Sequence, residues 1–323
     1  MPDRRLRTAC VQLSPCFKDW ETSRRRADAL IGDLRPGELD LLVLPEMALT
    51  GYCFQSKADV EPFVEEAGTG RTLHWAAETA SRLECYVIIG LPTVADPQAP
   101  DPTYRNSLLV VSPEGSLVYT YHKTFLYGEL TNDRADYLWA EAGTGFVALD
   151  LPFPASSPSR SSAGSGTEPD TFRIVPGICM DFNMPTFESP FDRFELGTFA
   201  DEHGADLVVG AMSWLDSEPP LVEDAEEGDA DSSEGLGRKE DPRREWEQVK
   251  DVLAYWVLRL SPLIGSGAAF VCANRVGREG TTVFTGSSCA LQLDDRPMVL
   301  EHAGKRKERV VVACVSLPSR AAK

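Results

Sequence analysis

The chain has 323 residues, 42% apolar and 25% charged, with 32 basic against 50 acidic side chains and a formal net charge of −18. This length excludes a mini-protein held together by metals or disulfides, and the apolar share excludes a disordered or fibrous chain. The acidic balance argues against nucleic acid and anionic membranes as partners, and no apolar run approaches the roughly 20 residues of a spanning helix.

Residues 1–7 are basic but pass directly into a strand-like run rather than a signal-peptide core, so a cytoplasmic location is expected. Short runs rich in Val, Ile and Leu then recur at 7–12, 41–44, 86–90, 106–111, 172–179, 207–211, 268–273 and 310–315, and predict strands. Stretches of helical spacing fall between them at 22–34, 71–83, 191–203 and 244–259. The alternation predicts an α/β protein whose strands are covered by helices. Two stretches interrupt it. Residues 152–169 are dominated by Pro, Ser and Gly, and residues 216–241 are densely acidic; both are expected as loop insertions within one domain spanning 1–323. The eight cysteines show no CxxC pairing and are expected as free thiols.

Three patterns place a reactive side chain beyond the end of an apolar run, where open α/β folds build sites. Pro45 stops the run 41–44 and leaves Glu46 in the following loop, with Tyr52 six residues on as a candidate substrate contact. Lys123 is an isolated cation in the apolar and aromatic segment 117–126. Cys179 sits at the apex of a tight turn after 172–178, which exposes its sulfur and nearby backbone N–H groups. Amide hydrolysis needs a nucleophile, a proton acceptor and oxyanion donors, and one residue type fits each role. Cys179 attacks, Glu46 takes the thiol proton and returns it to departing ammonia, and Lys123 with the N–H of Met180 holds the oxyanion.

LPEMALTGY, YHKTFLYGE and GICMDFNMP, in this order, resemble the three catalytic motifs of the nitrilase superfamily of carbon-nitrogen hydrolases. FESPFDRFELGTFA, AMSWLDS, YWVLRLSPL and ANRVGREGTTVFTGSS resemble its fungal-type protein N-terminal amidase branch. The resemblance implies a four-layer α-β-β-α sandwich with Glu46, Lys123 and Cys179 as the catalytic set and no metal or organic cofactor. It implies deamidation of N-terminal Asn or Gln in peptides and proteins, through a Cys thioester, as a step toward degradation signals. For the second acid that follows the lysine, Glu129 is the first candidate, with Asp133 and Asp136 as alternatives.

Other functional assignments stand beside plainer ones. Asp181 is placed to bind a substrate's α-ammonium or to cap the turn after Cys179. Trp214 is a pocket wall or a core aromatic. Taken singly, Glu46 suits a helix start, Lys123 a snorkelling cation and Cys179 a small buried residue, and only their conjunction favours chemistry. The four histidines show no metal-ligand spacing and no GxSxG elbow occurs. The competing functions are a small-molecule ω-amidase or carbamoylase and a non-catalytic regulatory scaffold. The association state, monomer or homodimer, is left open.

Overall fold

The computed structural model describes residues 4–128, 135–160, 170–217 and 242–319. Its elements in chain order are β1 (Arg5–Gln12), α1 (Trp20–Leu30), β2 (Leu41–Val43), α2 (Lys57–Val60), β3 (Glu65–Glu66), α3 (Arg71–Leu83), β4 (Tyr86–Val94), β5 (Tyr104–Val111) and β6 (Leu117–His122). They continue with β7 (Leu149–Pro152), β8 (Thr171–Ile178), α4 (Glu195–Glu202), β9 (Leu207–Met212), α5 (Pro242–Arg259), β10 (Ala269–Asn274), the hairpin β11 (Arg278–Glu279) and β12 (Thr282–Val283), β13 (Cys289–Gln292), β14 (Met298–His302) and β15 (Arg309–Ser316).

Two sheets form. The first runs β15-β1-β2-β4-β5-β6, with β3 also on β4; the second runs β14-β13-β10-β9-β8-β7. The period-2 geometry of a strand sends alternate apolar residues of the first sheet's central strands to its two faces. Cys10, Leu41, Val43, Tyr86, Ile88, Leu108 and Val110 join the core shared with the second sheet. Their neighbours Val11, Leu42, Leu44, Val87, Ile89, Leu109 and Val111 pack on the other face against α1 and α3. In α3 the buried residues Thr72, Trp75, Ala76, Thr79, Ala80 and Leu83 recur at three- and four-residue steps, the stripe that a helix lays on a sheet. On the far side, Trp256 of α5 meets Phe270 of β10 edge-on at 6.0 Å. The layers are therefore helix, sheet, sheet and helix, as the motif resemblance implied.

All eight predicted strands are present, and α3 has its expected bounds. The expected helix 191–203 begins instead at Glu195, because Phe194 adopts a left-handed φ of 45° that no helix continues through. The helix expected at 22–34 starts earlier, capped by Asp19 accepting from the Thr22 N–H, and ends at Leu30. Part of the expected loop 152–169 is packed structure. Pro152 closes β7, Phe153 stacks on Phe172 at 5.1 Å, and the carbonyl of Ser156 accepts from Arg7. Residues 161–169 of that stretch lie outside the described residues, as do 218–241 of the acidic one. Asp216, its first residue, is buried and paired with Lys305 at 2.8 Å and Arg306 at 2.5 Å. All eight cysteines are free thiols. Among the described residues, no helix is long and apolar enough to cross a membrane.

β2 and β4 run parallel, and the loop leaving β2 folds over Gly90 of β4. The Gly90 N–H donates to Pro45 O (3.1 Å) and Gly90 O accepts from the Ala48 N–H (3.0 Å). A β-carbon at Gly90 would lie 2.6 Å from both the Glu46 Cα and the Pro45 O, with only backbone to yield. Gly90→Ala is expected to cost about 1–3 kcal/mol and to displace the Glu46 loop. Denaturant unfolding with the amide-hydrolysis rate checks this, and a variant unchanged in both would show that the loop yields freely.

Candidate active site

Gly177 and Ile178 end β8, and Cys179 follows with φ 39°, a left-handed value that costs a non-glycine residue about 1–3 kcal/mol. Asp181 holds the turn. Its Oδ2 accepts from the Ile178 N–H and the Tyr121 hydroxyl, both at 2.8 Å, while Oδ1 accepts from the N–H groups of Thr124 (3.0 Å) and Phe125 (2.8 Å). The carboxylate thus ties the cysteine turn to the segment that carries Lys123. Burial, the largest influence, lifts its carboxyl to about 6 although these donors pull the other way. Four donors on its two oxygens give Asp181 the arrangement of a cap, and it is not among the residues that line the cavity above the thiol.

Lys123 lies one residue beyond β6, with Nζ 2.7 Å from Glu46 Oε1 and 2.6 Å from Asp136 Oδ2, and all three side chains are buried. Of the three candidates for a second acid, Asp136 lies among the described residues and meets the lysine. It is set by a short 3-10 turn and accepts from the Tyr127 N–H at 2.9 Å. Glu129, the first candidate, and Asp133 lie outside the described residues. Glu46 also accepts from Asn106 Nδ2 (2.8 Å, Oε1) and from the Ser213 N–H (2.8 Å, Oε2). Asn106 was missed in the sequence, where its only signal is an amide within the buried strand β5.

Two carboxylates share one ammonium, and the titration behaviour follows. Burial raises the Glu46 carboxyl and Asp136 adds to the rise, against Lys123 and Asn106. Burial pulls the Lys123 ammonium down, but Asp136 and Glu46 outweigh it and keep the lysine charged. Burial followed by the Glu46 charge pushes the Cys179 thiol well above its usual value, with Lys123 and the Ser213 N–H opposing. The Cys179 thiol is therefore held toward its neutral form, and the affinity of the Glu46 carboxyl for a proton is enhanced. That pairing suits a transfer in which sulfur attack and deprotonation proceed together.

A cavity of about 150 Å³ opens above the thiol, lined by Tyr52, Tyr127, Met180, Asn183, Phe187, Ser213, Trp214 and Leu215 as well as Cys179. It is smaller than the roughly 300–1,000 Å³ of sites that enclose drug-sized ligands, so it suits one side-chain amide with its flanking atoms. Tyr52, Met180 and Trp214 line it as expected, and Trp214 also packs on Tyr255 at 5.6 Å. Tyr127, Asn183, Phe187 and Leu215 were not foreseen. Asn183 Oδ1 is fixed by the Tyr255 hydroxyl at 2.6 Å. No charged side chain is among the lining residues. No cluster of metal-ligating side chains occurs among the described residues.

A family model for carbon-nitrogen hydrolases matches residues 7–187. The chain is 30% identical to the protein N-terminal amidase of Schizosaccharomyces pombe over 287 residues, which is 84% of this chain and 85% of that protein. It is 30% identical to the protein N-terminal amidase of Saccharomyces cerevisiae over 216 residues, 66% of this chain and 45% of that one. Among solved structures it is similar to an N-terminal amidase crystallised with an Asn-Glu peptide, at a TM-score of 0.75 and 20% identity, covering 98% of this chain and 99% of the other. At that identity the likeness speaks for the fold.

Two outcomes follow from the geometry. Asn106→Leu removes a bond that lowers the Glu46 carboxyl, so the acid limb of kcat/KM is expected to move to higher pH; an unmoved limb would mean that Asn106 does not govern the base. Asp181→Asn leaves N–H donors facing an amide NH₂ and is expected to cost about 2 kcal/mol or more, read by denaturant unfolding, whereas a purely substrate-binding Asp181 would change KM alone.

Proposed function

This chain belongs to the carbon-nitrogen hydrolase family, and from that premise we propose that it removes the side-chain amide of N-terminal Asn or Gln in peptides and proteins. One observation carries the proposal: a buried thiol, Cys179, lines a cavity of about 150 Å³ close to the buried Glu46–Lys123–Asp136 group.

In this reading Cys179 Sγ attacks the amide carbon as its proton passes to Glu46. Lys123 and the Met180 N–H stabilise the oxyanion of the tetrahedral intermediate. Glu46 returns the proton to the nitrogen, the C–N bond breaks, and ammonia leaves a thioester on Cys179. Glu46 then takes a proton from water as it attacks the thioester, and collapse frees Asp or Glu with the thiol restored. Asp136 keeps Lys123 charged and in place, the part offered first to Glu129. The free α-ammonium finds aromatic residues, Tyr127, Phe187 and Trp214, in the cavity lining, and an ammonium–ring contact is worth about 0.5–1 kcal/mol where exposed and about 2 kcal/mol where desolvated. The name and the peptide complex of the relatives support this substrate class.

Purified wild-type and Cys179→Ala protein, given matched peptides that begin Asn, Gln, acetyl-Asn and Gly-Asn, test the proposal through ammonia release and the deamidation mass gain. Cys179-dependent turnover of only the free N-terminal Asn or Gln peptides is expected. Hydrolysis of small ω-amides or carbamoyl amines, with every peptide inert, would replace it with a small-molecule amidase.

A further inference from the structure

The two sides of the cavity come from distant parts of the chain, Tyr52 from the loop after β2 and Trp214–Leu215 from the segment after β9. One short element reaches both. On the Tyr52 side, the buried Glu279 carboxylate of β11 accepts from the N–H groups of Tyr52 (3.0 Å) and Cys53 (2.8 Å) through Oε2. Gly51 (φ 79°) is needed there, since a β-carbon would sit 2.7 Å from Glu279 Oε1. On the Trp214 side, the Thr285 N–H donates to Trp214 O and the Asp216 N–H to Val283 O, both at 2.9 Å, and Leu215 pairs with Phe284.

The two halves are joined by Arg275 and Phe284, both wholly buried. The Arg275 guanidinium pairs with Glu279 and lies 3.8 Å from the centre of the Phe284 ring, which stands edge-on to Tyr52 at 6.3 Å. Nε and one terminal nitrogen of Arg275 have no acceptor among the described residues, so Glu279 alone balances this cation. Neither Arg275, Glu279 nor Phe284 lines the cavity.

We infer that the β11–β12 hairpin, locked by the Arg275–Glu279 pair, is a brace that sets the separation of the two cavity walls and so the acyl groups that fit. Arg275 and Glu279 are positioning residues, distinct from the groups that perform the chemistry. The link to Asn and Gln rests on the function proposed above; the brace itself does not.

The test compares wild type with Glu279→Gln and with the double variant Arg275→Met/Glu279→Gln, which leaves no stranded cation. Two readouts are taken: KM and kcat on Asn and Gln peptides, and the rates at which Cys179 is alkylated by iodoacetamide and by a bulky N-aryl maleimide, mapped by peptide mass. Loss of an acceptor for buried N–H groups corresponds to about a tenfold rise in KM, with kcat held within about threefold and its pH profile unmoved. The ratio of bulky to small alkylation is expected to rise several-fold, or about threefold at least, in both variants, and to stay raised in the double variant when its thermal midpoint recovers. If Glu279→Gln does not fold, the double variant carries the test. Wild-type KM and alkylation ratio in a folded variant would overturn the brace, as would their return to wild type together with the midpoint. A shifted alkylation ratio in a protein that turns over no peptide, even as wild type, would support the brace and reject the proposed substrates.

Discussion

One of the molecule's buried cations, Lys123, organises the candidate active site. Lys123 is enclosed by protein, and an ammonium in that position is tolerable only with negative charge against it and hydrogen bonds to complete it. Glu46 and Asp136 supply both at 2.7 and 2.6 Å. Each carboxylate then needs its own donors, which come from Asn106 and the Ser213 N–H for Glu46 and from the Tyr127 N–H for Asp136. One charge thereby fixes the loop after β2, the end of β6, a residue of β5 and the segment after β9. Burial, followed by the charge of Glu46, holds the Cys179 thiol toward its protonated form, against Lys123.

The sandwich is what makes such an arrangement affordable. Parallel strands of both sheets end at one edge, so loops far apart in sequence converge without long excursions. Asp181 joins two of them, bonding the cysteine turn to residues 124 and 125 just beyond the lysine. Gly90 and Gly51 let backbone approach backbone where a side chain would intervene.

Strands in near-continuous apolar runs, such as β4 and β9, were legible because burial on both faces favours that composition. So was α3, whose apolar stripe has an unbroken helical period. β7, β13 and β14 were not, since short edge or near-edge strands need less apolar surface and take their pairing from distant neighbours. Glu46, Lys123 and Cys179 were legible as motif residues at strand ends. Asp136 was only one of three acids in a stretch without periodic pattern, and its choice depends on a 3-10 turn that tertiary contacts fix. The role of Asp181 was ambiguous for a related reason: a carboxylate two residues past a nucleophile reads alike whether its partners are backbone N–H groups or a ligand. Arg275 and Glu279 lie in the ANRVGREGTTVFTGSS stretch that resembles the amidase branch, but their pairing has no signal until the chain has folded Tyr52 against them.

The neutral thiol has a consequence outside the reaction. Peroxides attack thiolates, and cysteines that sense oxidants are exposed and acidic. Cys179 is neither, being buried at the cavity and held toward the protonated form by burial first and then by the Glu46 charge. In the proposed reaction, a nucleophile held toward its protonated form between turnovers offers peroxide less thiolate to attack, which slows sulfenic acid formation.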